Sequence, residues 1–138
     1  MPATAPDGTI RIDPERIDAV IFDMDGVLTN TAIIHERAWA RTFDGFLERR
    51  CEPFRPFSPE DYRRYVDGKP RLDGVRDVLG SRGIALPEGN ADDPPGAATV
   101  RGLGRQKNDA FRAALEDGGI ECFADAVDFL DRLAAAGI

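Results

Sequence analysis

Two aspartates separated by one residue follow a short, continuous apolar run in this sequence. Asp23 and Asp25 come directly after residues 19–22, which read AVIF, and Gly26 follows them. Residues two apart in an extended segment point to the same side, so both carboxylates can face one phosphate group. One carboxylate would act as the nucleophile while the other carries the proton. We therefore predict a phosphoryl-transfer site here, with Asp23 as the nucleophile and Asp25 as the general acid and base.

Three other kinds of structure contain similar arrangements of aspartate and glycine. A surface turn after a strand has this composition, and four residues alone do not separate it from a catalytic loop. A calcium-binding loop also begins with alternating carboxylates and a glycine. Aligning Gly26 with that glycine puts Ile21 at the first ligand position and Ala32 where a bidentate glutamate belongs, which excludes this loop. A response-regulator receiver would need a second buried strand ending in an aspartate downstream, and the sequence shows none.

The longer segment around the aspartates is more specific. Residues 19–31, AVIFDMDGVLTNT, resemble the first signature motif of the haloacid dehalogenase superfamily. Thr31, His35 and Trp39 have the spacing seen in the following helix of its beta-phosphoglucomutase-like members, and the resemblance runs from about residue 17 to the end. It implies magnesium-dependent phosphoryl transfer on a sugar phosphate through an aspartyl-phosphate. Asp23 and Asp25 would then hold Mg²⁺, and Asp25 would also contact the substrate. A phosphatase of the same superfamily and a non-catalytic binding module remain alternatives.

The resemblance also implies substrate-binding residues further along the chain. Residues 66–71, VDGKPR, resemble the family's specificity loop, so Gly68, Lys69 and Arg71 are expected to bind substrate, Arg71 with a planar fork for a second phosphate. His35 falls where the family contacts the proton carrier, and Lys107 matches a substrate-side lysine. From composition alone, a solvated turn and a partly buried helix histidine are the favoured explanations of residues 66–71 and His35, and a solvated helix lysine explains Lys107 nearly as well.

The elements that must position these residues are mostly helical. The run at 19–22 predicts one strand buried in a parallel sheet. Apolar residues at helical spacing predict helices at about 31–49, 72–83, 97–116 and 124–136, with a loop at 87–96. A fifth, short helix at about 59–66 is predicted from an N-cap at Ser58 and a proline at the first helical position, Pro59. Trp39, Phe43 and Phe46 are predicted to pack in the core rather than to do chemistry.

Together with the resemblance, this order of elements predicts the fold class α/β. We expect a Rossmann-type core, incomplete in this chain, with an all-helical cap inserted after the first strand. The predicted domains are a loose N-terminal arm at 1–16, a partial core at 17–30 and 118–138, and the cap at 31–117. The family's later hydroxyl, lysine and acidic residues do not occur in these 138 residues, so we expect about half of a family member. The unpaired strand should then promote self-association.

Composition limits the partners and the compartment. The net charge of −7 argues against nucleic acid, whose binders present a basic face. Cys51 and Cys122 lie far apart without metal-ligand spacing, which indicates a reducing compartment. No apolar run reaches the roughly 18 residues of a membrane span, and residues 1–10 lack a signal-peptide pattern. We therefore expect a cytoplasmic enzyme with a small sugar-phosphate substrate and no nucleic-acid or membrane partner. Asp67 stands where relatives tend to carry a basic residue, so the sugar phosphate stays open.

Overall fold

The computed structural model describes residues 3–4, 10–50 and 53–138. Two compact units divide the chain, one formed by Met1–Thr31 with Ile120–Ile138 and the other by Ala32–Gly119. The segments predicted as core, 17–30 and 118–138, and as cap, 31–117, differ from these two units by at most two residues at each shared boundary, and the division has no boundary at residue 16. That the first unit is a catalytic core and the second a cap remains a prediction.

Helices build the second unit. They are α1 (Thr31–Leu47), α2 (Pro59–Asp61) with a π-helical turn at Tyr62–Val66, α3 (Arg71–Ser81) and α4 (Val100–Gly118). Each corresponds to a predicted helix. For α1, α3 and α4 the signal is an apolar stripe at helical spacing, which defines a single buried face. The loop predicted at 87–96 is also free of helix and strand.

Aromatic and branched side chains from all four helices fill the core of this unit. Phe43 is fully buried, and its ring stacks between Trp39 and Phe57 at 5.3 Å from each. The predicted core role of Trp39, Phe43 and Phe46 is confirmed. The remaining core residues are Leu47, Val66, Val75, Val78, Leu79, Val100 and Leu103.

Local capping explains where two of these helices begin. Ser58 accepts a hydrogen bond from the Asp61 amide, and the Asp61 carboxylate accepts one from the Ser58 amide, with Pro59 at the first helical position. Thr99 caps α4 by accepting from the Gly102 amide at 2.9 Å. These side chains satisfy amide groups that have no partner within the helix.

The first unit contains α5 (Ala124–Ala135) and short paired segments. Residues 1–16 were predicted to form a loose arm, but Ala3–Thr4 (β1) pairs antiparallel with Ile10–Arg11 (β2). Backbone pairing between two short segments leaves no side-chain periodicity in the sequence, and the loose arm as a domain stays a prediction. The rest of that arm before residue 10 lies outside the described residues.

The predicted strand at residues 19–22 is not formed. Ile21 is 97% exposed, and the segment has no regular secondary structure. A strand is stable only when its backbone groups pair with a neighbour, and no described residue pairs with this segment. Phe22 instead makes an edge-to-face contact with Phe129 of α5 at 5.7 Å.

None of the helices in the described ranges is long and apolar enough to cross a membrane. Cys122 is an exposed free thiol, and Cys51 lies outside the described residues.

Candidate functional site

The loop that follows residue 22 is closed by hydrogen bonds to one carbonyl. The Met24 oxygen accepts from the amides of Val27, Leu28 and Thr29 at 3.3, 3.0 and 3.1 Å, and from the Thr29 hydroxyl at 3.2 Å. The Gly26 amide donates to the Thr29 carbonyl at 2.8 Å. Gly26 has a φ of 79°, a conformation that costs glycine little, so the chain turns sharply here.

The two aspartates leave this turn in different settings. Asp23 and Asp25 are both exposed, so a ligand can reach them from solvent. The Asp23 carboxylate accepts from the Met24 amide at 3.0 Å. The Asp25 carboxylate accepts from the hydroxyl of Thr31, which is 2.7 Å from the hydroxyl of Thr29. Both threonines are buried, at 7% and 3% exposure, so the hydrogen bond from Thr31 reaches Asp25 from the protein interior.

Thr29 and Thr31 contact each other beside Asp25 but were not predicted as site residues. Both belong to the segment that resembles the family motif, yet hydroxyl side chains at a helix start are common for capping alone.

Residues 121–123 hydrogen-bond to residues 28–30, at the end of the aspartate loop. The Asn30 amide donates to the Glu121 carbonyl at 3.0 Å, and the Phe123 amide donates to the Leu28 carbonyl at 3.0 Å. The Asn30 side chain adds two further hydrogen bonds to Glu121, one to its carboxylate at 3.1 Å and one from its amide at 3.2 Å. Residues 28–30 and 121–123 therefore act as one short antiparallel pair that restrains the loop.

The donor set of the loop fits Mg²⁺ in kind. Oxygen atoms are the ligands this ion prefers, and the loop can offer it the Asp23 carboxylate and the Asp25 backbone carbonyl. Among the described residues, no three His, Cys, Asp or Glu side chains lie close enough to hold a metal ion together. The residues present would thus supply part of an octahedral shell, and substrate oxygens and water would fill the rest.

Lys107 and His35 meet inside the second unit. Lys107 Nζ lies 2.6 Å from His35 Nδ1, although the residues are 72 positions apart. The Lys107 side chain is buried over the rings of Trp39 and Phe111, at 5.3 and 4.7 Å from their centroids, and the His35 ring stacks on Phe111 at 4.0 Å. The structure therefore brings together two residues that were predicted separately. Lys107 Nζ lies over both rings in a cation–π arrangement.

The predicted specificity turn lies between the π-helical turn and α3. Gly68 has a φ of 67°, and Lys69 forms an ion pair with Asp77 at 2.5 Å. Arg71 begins α3 and donates to the Asn108 side chain of α4 at 2.5 Å. Because Lys107 and Asn108 are consecutive, neighbouring positions of α4 contact His35 and Arg71.

Arg71 and Asn108 line a cavity of about 270 Å³ within the second unit. Arg101 and Arg105 of α4 also line it, together with Leu72, Ala91 and Gly104. Our sequence analysis assigned neither Arg101 nor Arg105 to a site, since arginines on an amphipathic helix usually belong to its solvated face.

Comparison with known proteins places this geometry in context. A family model described as haloacid dehalogenase-like hydrolase matches residues 17–138. A beta-phosphoglucomutase from Mycobacterium bovis is 48% identical over 130 residues, covering 91% of this chain and 50% of that protein, and the Mycobacterium tuberculosis protein of the same name gives the same values. An uncharacterized glycosyl hydrolase from Mycobacterium tuberculosis is 38% identical over 131 residues, which are 92% of this chain and 10% of that protein. The chain spans about half the length of the beta-phosphoglucomutases it matches.

Proposed function

Since this chain belongs to the haloacid dehalogenase-like hydrolase family, we propose that it carries the nucleophile loop of an enzyme that transfers the phosphoryl group of a sugar phosphate. The supporting observation is the pair of exposed aspartates, one of them held by buried hydroxyls, in a chain 48% identical to beta-phosphoglucomutases. Because those relatives are about twice as long, the activity is proposed for the whole protein.

In the proposed reaction, an oxygen of Asp23 attacks the phosphorus atom and forms an aspartyl-phosphate. The bond from phosphorus to the sugar oxygen breaks, and Asp25 gives its proton to that leaving oxygen. In the second step Asp25 takes a proton from the acceptor hydroxyl, whose oxygen attacks the phosphorus and releases Asp23. The hydrogen bond from Thr31 would keep the Asp25 carboxylate turned toward this exchange.

Asp23, through its carboxylate, and Asp25, through its backbone carbonyl, would hold Mg²⁺. When bound there, the ion would offset the repulsion between the anionic nucleophile and the anionic phosphate.

The second unit supplies the proposed substrate contacts. Arg71 has a planar guanidinium suited to bidentate binding of a phosphate that is not being transferred. Lys107 and His35 would act together because they are already in contact. Lys69 would need to exchange its partner Asp77 for the substrate, so we assign it a smaller share of binding.

The family is consistent with an α/β core, and the finer arrangement, a partial Rossmann-type core with an inserted helical cap, is part of this proposal. So are a cytoplasmic location, a small sugar-phosphate substrate and the absence of a nucleic-acid or membrane partner.

Two enzyme functions share this chemistry, and the acceptor distinguishes them. In a mutase the acceptor is a sugar hydroxyl, which fits the name of the relatives at 48% identity. In a phosphatase the acceptor is water, which fits the family description. Turnover of glucose 1-phosphate that requires a sugar bisphosphate primer supports the mutase, while primer-independent phosphate release supports the phosphatase.

The direct test is substitution of the aspartates in the complete protein. Asp23→Asn should abolish phosphoenzyme formation, because an amide cannot replace the carboxylate nucleophile. Asp25→Asn should slow turnover roughly hundredfold to ten-thousandfold, the usual loss for a general acid. Asp18→Asn, an exposed carboxylate outside the loop, is the matched control and should keep normal turnover. Label trapped on the Asp23→Asn protein, or unchanged function, would contradict the proposal and favour a non-catalytic binding module.

A further inference from the structure

The cavity between α3 and α4 collects three guanidinium groups in a chain whose net charge is −7. Arg101, Arg105 and Asn108 are spaced four and three residues apart, so they lie along one face of α4. Arg71 reaches the same cavity from the first turn of α3. This concentration of positive charge is local, because it comes from side-chain placement rather than from composition.

Close packing of the two helices creates this arrangement. A Cβ atom at Gly104 would lie only 2.8 Å from Cδ2 of Leu72, so a larger residue there would require the Leu72 side chain to move. The same Cβ atom would lie 3.8 Å from the Arg71 side chain, so α3 and α4 are in close contact where the arginines meet. A glycine inside a helix lowers the stability of that helix by about 1 kcal/mol relative to alanine. Gly104 lines the cavity, so this less stable helix position lies at the cavity wall.

The charges of these arginines are only partly matched within the protein. Arg71 donates to the neutral side chain of Asn108, and Arg105 donates to the backbone carbonyl of Ala91. Neither forms an ion pair with a carboxylate of the described residues. Arg101 lies 3.8 Å from Glu88, but Arg76 holds the same carboxylate at 2.7 Å.

Asp93, an acidic residue near this cavity, forms its hydrogen bonds with residues other than the arginines. Asp93 accepts from the Thr99 hydroxyl at 2.6 Å and from the Asn90 amide at 3.1 Å. The Thr99 and Asn90 hydrogen bonds, together with the charges of Arg105 and Arg101, lower the pKa of Asp93. The arginines therefore act on a carboxylate outside their hydrogen-bond shell, as expected for a positive local field.

We propose that Arg101 and Arg105 complete, with Arg71, a binding site for a phosphate monoester dianion. This inference rests on the proposed function, in which the bound group is the substrate phosphate that is not transferred, and it makes the two arginines of α4 determinants of substrate specificity. A phosphate offers three terminal oxygens and two negative charges, which several guanidinium forks can share, whereas a carboxylate offers two oxygens and one charge.

The test uses the 138-residue chain, since all the lining residues lie in its second unit. Inorganic phosphate, methyl phosphate and acetate are titrated separately while the arginine side-chain Nε–H signals are followed by NMR. Both phosphates should bind saturably and acetate should not. Arg101→Gln and Arg105→Gln should each weaken phosphate binding by roughly tenfold, the usual effect of losing one charge-assisted hydrogen bond.

Arg112→Gln is the matched control, because Arg112 is exposed on the same helix and does not line the cavity. It should bind phosphate like the unmodified chain. Equal weakening by Arg112→Gln, or no saturable phosphate binding, would overturn the proposal. If Arg105→Gln fails to fold by circular dichroism, Arg105→Lys keeps the charge and removes the planar fork, and it should still weaken binding.

A second experiment distinguishes phosphate binding at the cavity from phosphoryl transfer at Asp23. In the complete protein, Arg101→Gln and Arg105→Gln should raise the Michaelis constant for a sugar phosphate by a larger factor than that for nitrophenyl phosphate. Equal losses on both substrates would overturn the specificity role. A phosphoenzyme on Asp23 without phosphate binding at the cavity would refute this inference alone, and phosphate binding without a phosphoenzyme would refute the proposed function alone.

Discussion

Arg71 was predicted from the sequence to bind substrate, and in the structure it lines a cavity with Arg101 and Arg105. Replacing Arg71 by lysine keeps one positive charge but removes the planar fork and the geometry of its hydrogen bond to Asn108. We expect the Michaelis constant for a sugar phosphate to rise more than that for nitrophenyl phosphate in the complete protein. Arg112→Lys should change neither value, and equal losses on both substrates would show that Arg71 is structural.

Substitution of Gly89 measures how much the packing of the loop between α3 and α4 contributes to the free energy of unfolding. Its φ is 80°, and a Cβ atom there would lie 2.1 Å from the Asp93 carboxylate and 2.6 Å from the Thr99 side chain. Gly89→Ala should therefore lower the free energy of unfolding by about 1–3 kcal/mol.

Gly80→Ala is the control for this prediction, because Gly80 lies in α3 with nothing within 4 Å of the new methyl group. It should raise the free energy of unfolding by up to about 1 kcal/mol, since alanine favours the helix. Both values are read from urea unfolding followed by circular dichroism. Equal stability of the two variants would mean that the loop relaxes around Gly89.

At the scale of elements, the start of α2 combines a helix cap with a buried ion pair. Asp61 is 4% exposed and accepts from the Ser58 amide and hydroxyl at 3.0 Å each, while Arg82 donates to it at 2.8 Å. Burial alone would raise the pKa of Asp61, but the hydrogen bonds from Ser58 and the charges of Arg82 and Arg55 lower it below its ordinary value of 3.8.

The sign of the pH dependence follows from that lowered pKa. The ionised Asp61 stabilises the fold above its ordinary pKa, and this stabilisation is lost as the pH falls through the lower folded value. Asp61→Asn should cost about 3 kcal/mol near pH 7, because Arg82 stays buried without its partner charge. The difference from the unmodified chain should shrink in urea titrations below about pH 4. Glu60→Gln, an exposed neighbour, should show no such dependence, and a constant difference for Asp61→Asn would contradict the assignment.

The helices were predictable because their signals are local. Apolar spacing predicted α1 at 31–49, and the structure has Thr31–Leu47. Ser58 and Pro59 predicted the start of α2 through capping alone. The strand at 19–22 could not be judged in the same way, since strand formation depends on a distant partner that periodicity does not reveal.

In the candidate site, too, only the residues with a local sequence signal were predictable. Asp23 and Asp25 stand out because they follow one another within three residues. The contact of Lys107 with His35 depends on how α1 and α4 pack, and the gathering of Arg101 and Arg105 beside Arg71 depends on how α3 and α4 pack. No pattern within a single helix encodes either arrangement.

For the whole molecule, we predict that this chain alone binds Mg²⁺ weakly and turns over no sugar phosphate. Two aspartates leave most of an octahedral shell to water, and phosphoryl transfer depends on an electrostatic clamp of several groups. We also expect self-association, because Ile21 is 97% exposed and α5 exposes Val127, Phe129 and Leu130 by roughly 40% each.

The measurement combines assays of glucose 1-phosphate and nitrophenyl phosphate with light scattering after size-exclusion chromatography. Ile21→Thr should reduce the association, while Ile33→Thr, which removes an exposed apolar side chain from α1, should reduce it less. Clear turnover by a monomer would contradict the prediction and mean that the chain holds a complete site.

The short pairing of residues 28–30 with 121–123 has a consequence for the order of folding. It joins Asn30 and Glu121 across 91 residues, and closing a flexible loop of that length costs about 4 kcal/mol in chain entropy. If Ala32–Gly119 folds first, its two ends are already near each other and most of that cost is removed before the pairing forms. Pulse-labelled hydrogen exchange should therefore show the amides of α3 and α4 protected before those of Asn30 and Phe123, so that the aspartate loop is the last part of the chain to become ordered.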